Sequence, residues 1–284
     1  MTSPNGIKPI TRWQVIRELV AYFVLAFVIA WGLGAGVLVF RSQFEAVFGR
    51  VGPLLTSWPY FVAVCAPTIS AVLLSVLFGG VAGLKTLFAG LIRPFKFRWV
   101  FAALLTFPAA LLILGLVERG IGPSHSVDLY ALISAPLLLI TTARIFLDPG
   151  PWGEETGWRG FALPRLLTLF SPLTSALLLG FIWAVWHTPA FFASGLTQFG
   201  TDYGWFLIGV TCISVLMTWI YVNANRNYLI AGFIPHEMNN LLGAHVYDGV
   251  RTEALVYVAI AVLIFAVFGP SLKGWRTAPK IAIA

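Results

Sequence analysis

Leu19-Val20-Ala21-Tyr22-Phe23-Val24-Leu25-Ala26-Phe27-Val28-Ile29-Ala30-Trp31 continues without a charge to Phe40, 22 residues from end to end. About 20 apolar residues in a helix cross the hydrocarbon core of a bilayer, so this run predicts a membrane span. It is too long for a signal-peptide core, and no small-residue cleavage site follows it. The expectation is therefore an uncleaved first span, entered from a segment carrying Lys8, Arg12 and Arg17. Gly32, Gly34 and Gly36 have the spacing of a nucleotide loop, but no strand precedes them. The Gly32/Gly36 pair instead predicts close helix packing in lipid.

The rest of the chain repeats the pattern. It is 59% hydrophobic and only 10% charged, with a mean hydropathy of +0.88. Together these predict an all-α, polytopic membrane bundle that uses residues 1–284 as one membrane domain, with no length left for a soluble one. Further spans are expected at about 58–78 with Pro67 inside, 99–117, 129–146, 171–193, 205–222, a short 228–243 and 254–268, making about eight. Lys85, Arg93, Lys96 and Arg98 mark a cytoplasmic loop with a short surface helix. The fourth span closes on Arg144 and Asp148 and breaks at Pro149-Gly150-Pro151.

With both termini inside, the outer loops hold Arg41, Arg50, Arg119 and Arg251, and the other fourteen of the 18 Lys and Arg residues lie on the inner side. This asymmetry predicts cytoplasmic ends, and the expected location is a prokaryotic plasma membrane. The net charge of +7 belongs to short loops rather than to one amphipathic face, so it points to membrane lipid and away from nucleic acid. Cys65 and Cys212 sit alone inside apolar runs, as packing residues do. No internal repeat is visible.

Against this background Gly153-Glu154-Glu155-Thr156-Gly157-Trp158-Arg159-Gly160 stands out, with three charges within six positions. If the stretch is helical, Glu155 and Arg159 fall at i and i+4, acid before base, which favours an ion pair. Glu154 points about 100° away and has no partner of its own. Two readings stand: a pair of acids in the headgroup zone, or an unpaired carboxylate with a function. His187 and His236 lie inside apolar spans, where a histidine can simply bond across helices; His125 and His245 fall in or near loops. Asn240 follows His236 by four residues, so both can donate toward a common point, as an oxyanion site requires. Trp183 lies one turn before His187 and can hold its rotamer. Glu154, His187, His236 and Asn240 thus supply a base, a second titratable group and two donors, the minimum for water attack on a carbonyl, with the active site inside the bundle.

These motifs resemble the CPBP family of intramembrane glutamic endopeptidases, also called the Abi or type II CAAX prenyl protease family. Glu154-Glu155 with Arg159, an aromatic Trp183 four before His187, and His236 four before Asn240 occur in the family's order within about 130–245. Arg159-Gly160-Phe161 and Trp186-His187-Thr188-Pro189 fit the local setting. One departure is Trp183, where the family commonly has phenylalanine. The resemblance implies an intramembrane endopeptidase without cofactor or metal. Glu154 and His187 would activate water, His236 and Asn240 would hold the oxyanion, and Glu155, Arg159 and Trp183 would support the site. CAAX-type or other membrane-associated peptides, lipid-modified proteins among them, would be its substrates. Two alternatives share the fold: a zinc protease using Glu154, His187 and His236, although no HExxH occurs, and a non-catalytic member acting in bacteriocin self-immunity or partner binding.

Overall fold

The computed structural model describes residues 11–40, 42–43, 46, 58–121, 148–193, 196–245 and 249–273, apart from the side chains of 58, 117–121 and 242–245. Every element among them is helical. In chain order they are α1 (Arg12–Val39), α2 (Trp58–Val64), α3 (Ala66–Ala89), α4 (Arg98–Ile121), α5 (Pro149–Glu155), a π-helical segment (Thr156–Ala162), α6 (Leu163–Leu169), α7 (Pro172–Trp186), α8 (Tyr203–Asn223), a second π segment (Leu229–Phe233), α9 (Ile234–His245) and α10 (Val250–Phe268).

Five of these stretches are long and apolar enough to cross a membrane: Arg12–Val39, Ala66–Ala89, Arg98–Leu116, Tyr203–Asn223 and Val250–Ser271. The chain is an integral membrane protein built as an all-α bundle. The span expected at 129–146, with Arg144 and His125, lies outside the described residues. The span expected at 171–193 is shorter than its hydropathy suggested, because α7 has 15 residues and ends at Trp186. Pro189 explains the early stop, since it has no N–H and cannot extend the helix. A 3₁₀ turn over Thr188–Phe191 follows instead. The expected short span at 228–243 is divided between the second π segment and the 12 residues of α9. Five spanning helices are therefore described, not eight.

The apolar helices differ in what they face. Half of the α8 window is buried against 17% of the α1 window, although their hydropathies are 2.0 and 2.2. Ile213 through Thr218 are all buried, so α8 is enclosed on every side, with α7 and α10 along it. Val20, Val24 and Val28 of α1 stay more than half exposed, as suits a lipid-facing stripe.

On the other side of the molecule α3 packs against α1 and against the first π segment. Gly157 of the π segment allows this approach to α3, and Gly153 of α5 allows the neighbouring one to the end of α2. A Cβ at Gly153 would lie 2.8 Å from the Val64 carbonyl oxygen, and one at Gly157 would run into Pro67 and the Tyr22 hydroxyl. The small-residue spacing expected to pack at Gly32 and Gly36 is thus used here, since neither of those glycines has a described neighbour within 4 Å of its Cβ position. α3 itself is divided at Gly80, whose φ of 56° is open only to glycine at low strain.

Candidate active site

The first π segment begins one residue after Glu155, so the two glutamates occupy the last turn of α5. Pro149-Gly150-Pro151 opens that helix rather than merely interrupting the chain: Asp148 is its N-cap, and Asp148 Oδ1 accepts from the Gly150 N–H at 2.8 Å. Proline at the first helical position loses nothing there, because that N–H has no intrahelical partner anyway.

The adjacent glutamates face different surroundings. Glu155 is fully buried, and its Oε1 accepts from Arg159 Nη1 at 2.8 Å and from His236 Nδ1 at 2.8 Å. Arg159, also fully buried, donates through Nη2 to Met217 Sδ at 3.0 Å and lies 4.4 Å from the centre of the Trp183 ring. The expected Glu155–Arg159 pair is present, and α9 is tied into it through His236.

Glu154 is 4% exposed and is not without partners, contrary to the sequence-based expectation. Its Oε2 accepts from Trp183 Nε1 at 2.6 Å and from Trp158 Nε1 at 3.4 Å. Indole N–H groups donate without carrying charge, so among the described residues the carboxylate is held but not paired with a cation.

His187 lies at the end of α7 rather than well inside a span. Its Nδ1 is 2.8 Å from the Trp183 carbonyl oxygen. A carbonyl only accepts, so the proton sits on Nδ1, and neutral His187 presents a lone pair at Nε2. The same reasoning applies to His236, whose Nδ1 donates to a carboxylate. Trp183 therefore fixes His187 mainly through its backbone. The two rings are 6.0 Å apart between centroids, farther than the 5.2 Å between Trp183 and His236.

His236 and Asn240 share one face of α9. An ideal Cβ on Gly150 would lie 3.6 Å from His236 Nε2 and 3.3 Å from Asn240 Nδ2, so both groups are directed to the start of α5. Asn240 Nδ2 also donates to Asp148 Oδ2 at 3.5 Å. Asp148 was not among the sequence-derived site residues; the usable signal was an Asp directly before a proline-led helix. Glu154 is within electrostatic reach of both His187 and His236, and the two imidazoles are within reach of each other. The three helices thus bring Glu154, His187, His236 and Asn240 to one region. No three His, Cys, Asp or Glu side chains among the described residues are grouped to hold a metal ion, Glu154, His187 and His236 included.

A carboxylate held beside two oriented imidazoles and an amide, inside a bundle of membrane helices, is the equipment of acid–base chemistry screened from bulk water. The comparison with known families agrees with this class. Residues 134–242 match the family described as type II CAAX prenyl endopeptidase Rce1-like. It is also similar to CAAX prenyl protease 2 of Methanococcus maripaludis, with 30% identity over 123 residues, or 39% of this chain and 45% of that protein. The match spans just under half of the relative's length.

Proposed function

We propose that this protein is an intramembrane endopeptidase that hydrolyses a peptide bond with water activated by Glu154 and His187. The observation that carries the proposal is the unequal treatment of the two buried glutamates: Glu155 is paired with Arg159 and His236, and the donors to Glu154 among the described residues are neutral. A base in this position removes a proton from water as the oxygen attacks the scissile carbonyl. His187, with its Nε2 lone pair free, orients that water or shares its proton. The proton then passes to the leaving amine.

His236 Nε2 and Asn240 Nδ2 stabilise the oxyanion of the tetrahedral intermediate. Because His236 Nδ1 already donates to Glu155, donation from Nε2 as well needs a second proton on the ring. Glu155 Oε1, 2.8 Å away, supplies the countercharge for that imidazolium. Glu155 and Arg159 thus support the oxyanion half of the site, and the Trp183 ring packs between Arg159 and His236.

The relative's name suggests the substrate class: a prenylated peptide ending in a CAAX sequence, reached from within the membrane. The test is to reconstitute the full chain in nanodiscs with a farnesylated CAAX peptide and to follow release of the C-terminal tripeptide by mass spectrometry. Cleavage at the prenylcysteine that disappears in Glu154→Gln supports the proposal. Cleavage unchanged in that variant overturns it.

A further inference from the structure

The site contains one residue whose contacts reach every part of it. Trp183 Nε1 donates to Glu154 Oε2 at 2.6 Å, and the Trp183 backbone carbonyl accepts from His187 Nδ1 at 2.8 Å. The face of its ring holds the Arg159 guanidinium 4.4 Å from the centroid, and His236 stands 5.2 Å away in an edge contact. We infer that Trp183 is a positioning residue that decides which oxygen of Glu154 is reactive and joins the carboxylate and the imidazole of the water-activating pair into one unit; this rests on the proposed roles of Glu154 and His187.

The argument follows from the inventory of donors. Both described donors to Glu154 reach the same oxygen, Oε2, and Oε1 has no hydrogen-bond partner among the described residues. A carboxylate attached by one oxygen cannot exchange its two oxygens by rotation without breaking a short, buried, charge-assisted bond. Oε1 is thereby assigned to the water. The indole is itself immobilised, because swinging its N–H away from Glu154 would also remove its ring from Arg159. Burial of Trp183 at 3% exposure leaves no competing solvent acceptor for the N–H.

A phenyl ring at this position would keep the face for Arg159, the edge for His236 and the carbonyl for His187. It would lack the donor and part of the indole volume. A role confined to packing therefore predicts a lower melting temperature for Trp183→Phe with kcat kept, whereas the positioning role predicts a loss of kcat. The expected result is a fall in kcat of about 10- to 100-fold, the usual scale for losing a hydrogen bond to a charged group, with KM unchanged.

A second readout needs no substrate. With ¹⁵N-labelled tryptophan in detergent, the Trp183 indole N–H resonance, identified by its loss in Trp183→Phe, should lie downfield. It should move upfield in Glu154→Gln, where the acceptor is neutral. Wild-type kcat in Trp183→Phe together with an inactive Glu154→Gln would overturn this inference alone. Full turnover in Glu154→Gln would instead overturn the assignment of the base beneath it. An indole resonance identical in wild type and Glu154→Gln would remove the hydrogen bond and the inference with it.

Discussion

Glu154 and Glu155 share a peptide bond and nearly complete burial, yet they belong to two different regions of the molecule. The Glu155 side is a knot in which one carboxylate oxygen bonds both a guanidinium and an imidazole across α5, the first π segment and α9. On the Glu154 side two indoles hold one oxygen, and nothing cationic among the described residues bonds to it directly. On the proposed roles, charge compensation rather than burial separates the structural acid from the reactive one. Burial is the same for both to within a few per cent.

The strongest way to break the comparison is Glu154→Gln. The amide keeps shape and accepts the indole bonds but cannot take a proton, so turnover should fall by about 10²- to 10⁴-fold, roughly 3 to 5 kcal/mol of barrier. The melting temperature in detergent should barely move. If this variant unfolds, the assignment of the two regions is reversed.

Arg159→Met attacks the other region. Removing one partner of a buried ion pair costs about 3 to 5 kcal/mol, and the early melting transition should be plain by scanning fluorimetry. His236 stays as a partner for Glu155, which places the loss toward the lower end. Adding Glu155→Gln to Arg159→Met should restore part of the melting temperature by removing the orphaned charge. It should not restore turnover, because the countercharge for His236 is gone. Recovery of both would show that Glu155 supports only the fold.

Gly157→Ala tests whether the two regions move as one body. The new methyl meets the Pro67 backbone and the Tyr22 hydroxyl, so overpacking should cost about 1 to 3 kcal/mol of stability. Because it displaces the first π segment, which continues directly from α5, stability and turnover should fall together, unlike in either variant above.

The smallest expected effect is that of metal removal. Glu154 already bonds to two indoles through Oε2, and the described residues offer no metal-binding group. Exhaustive chelation should therefore leave the cleavage rate unchanged. Loss of activity restored by stoichiometric zinc would overturn this.

How much of this was legible beforehand follows from the range over which a sequence speaks. Relationships within one helix could be read: Glu155 with Arg159, and His236 with Asn240, each four apart, lie on common faces as periodicity requires. Relationships between helices could not be read. Nothing in the spacing joins His236 to Glu155, 81 residues away, or Trp183 to Glu154, 29 residues away. Those contacts depend on how α7 and α9 are rotated against α5. Hydropathy has the same limit, since it scored α1 and α8 alike while α8 lies at the centre and α1 at the lipid-facing edge. The glycine spacing was recognised as a packing signal at 32–36 and used at 153–157, because a small residue marks where a neighbour fits but not whether one is there.

The segment Thr156–Ala162 is wound as a π-helix, with i to i+5 bonds, between two stretches of ordinary α-helix. Such a segment is an α-helix carrying one residue more than its turns need. Rewinding it as ordinary α-helix with that residue kept would rotate everything beyond by about 100°. α6 would turn with it, and Arg165, which now donates to Glu18 at 2.8 Å, would swing off α1. The surplus residue therefore works as a phase setting: it lets one continuous rod present its acids to the catalytic region at one end and dock on the first membrane helix at the other.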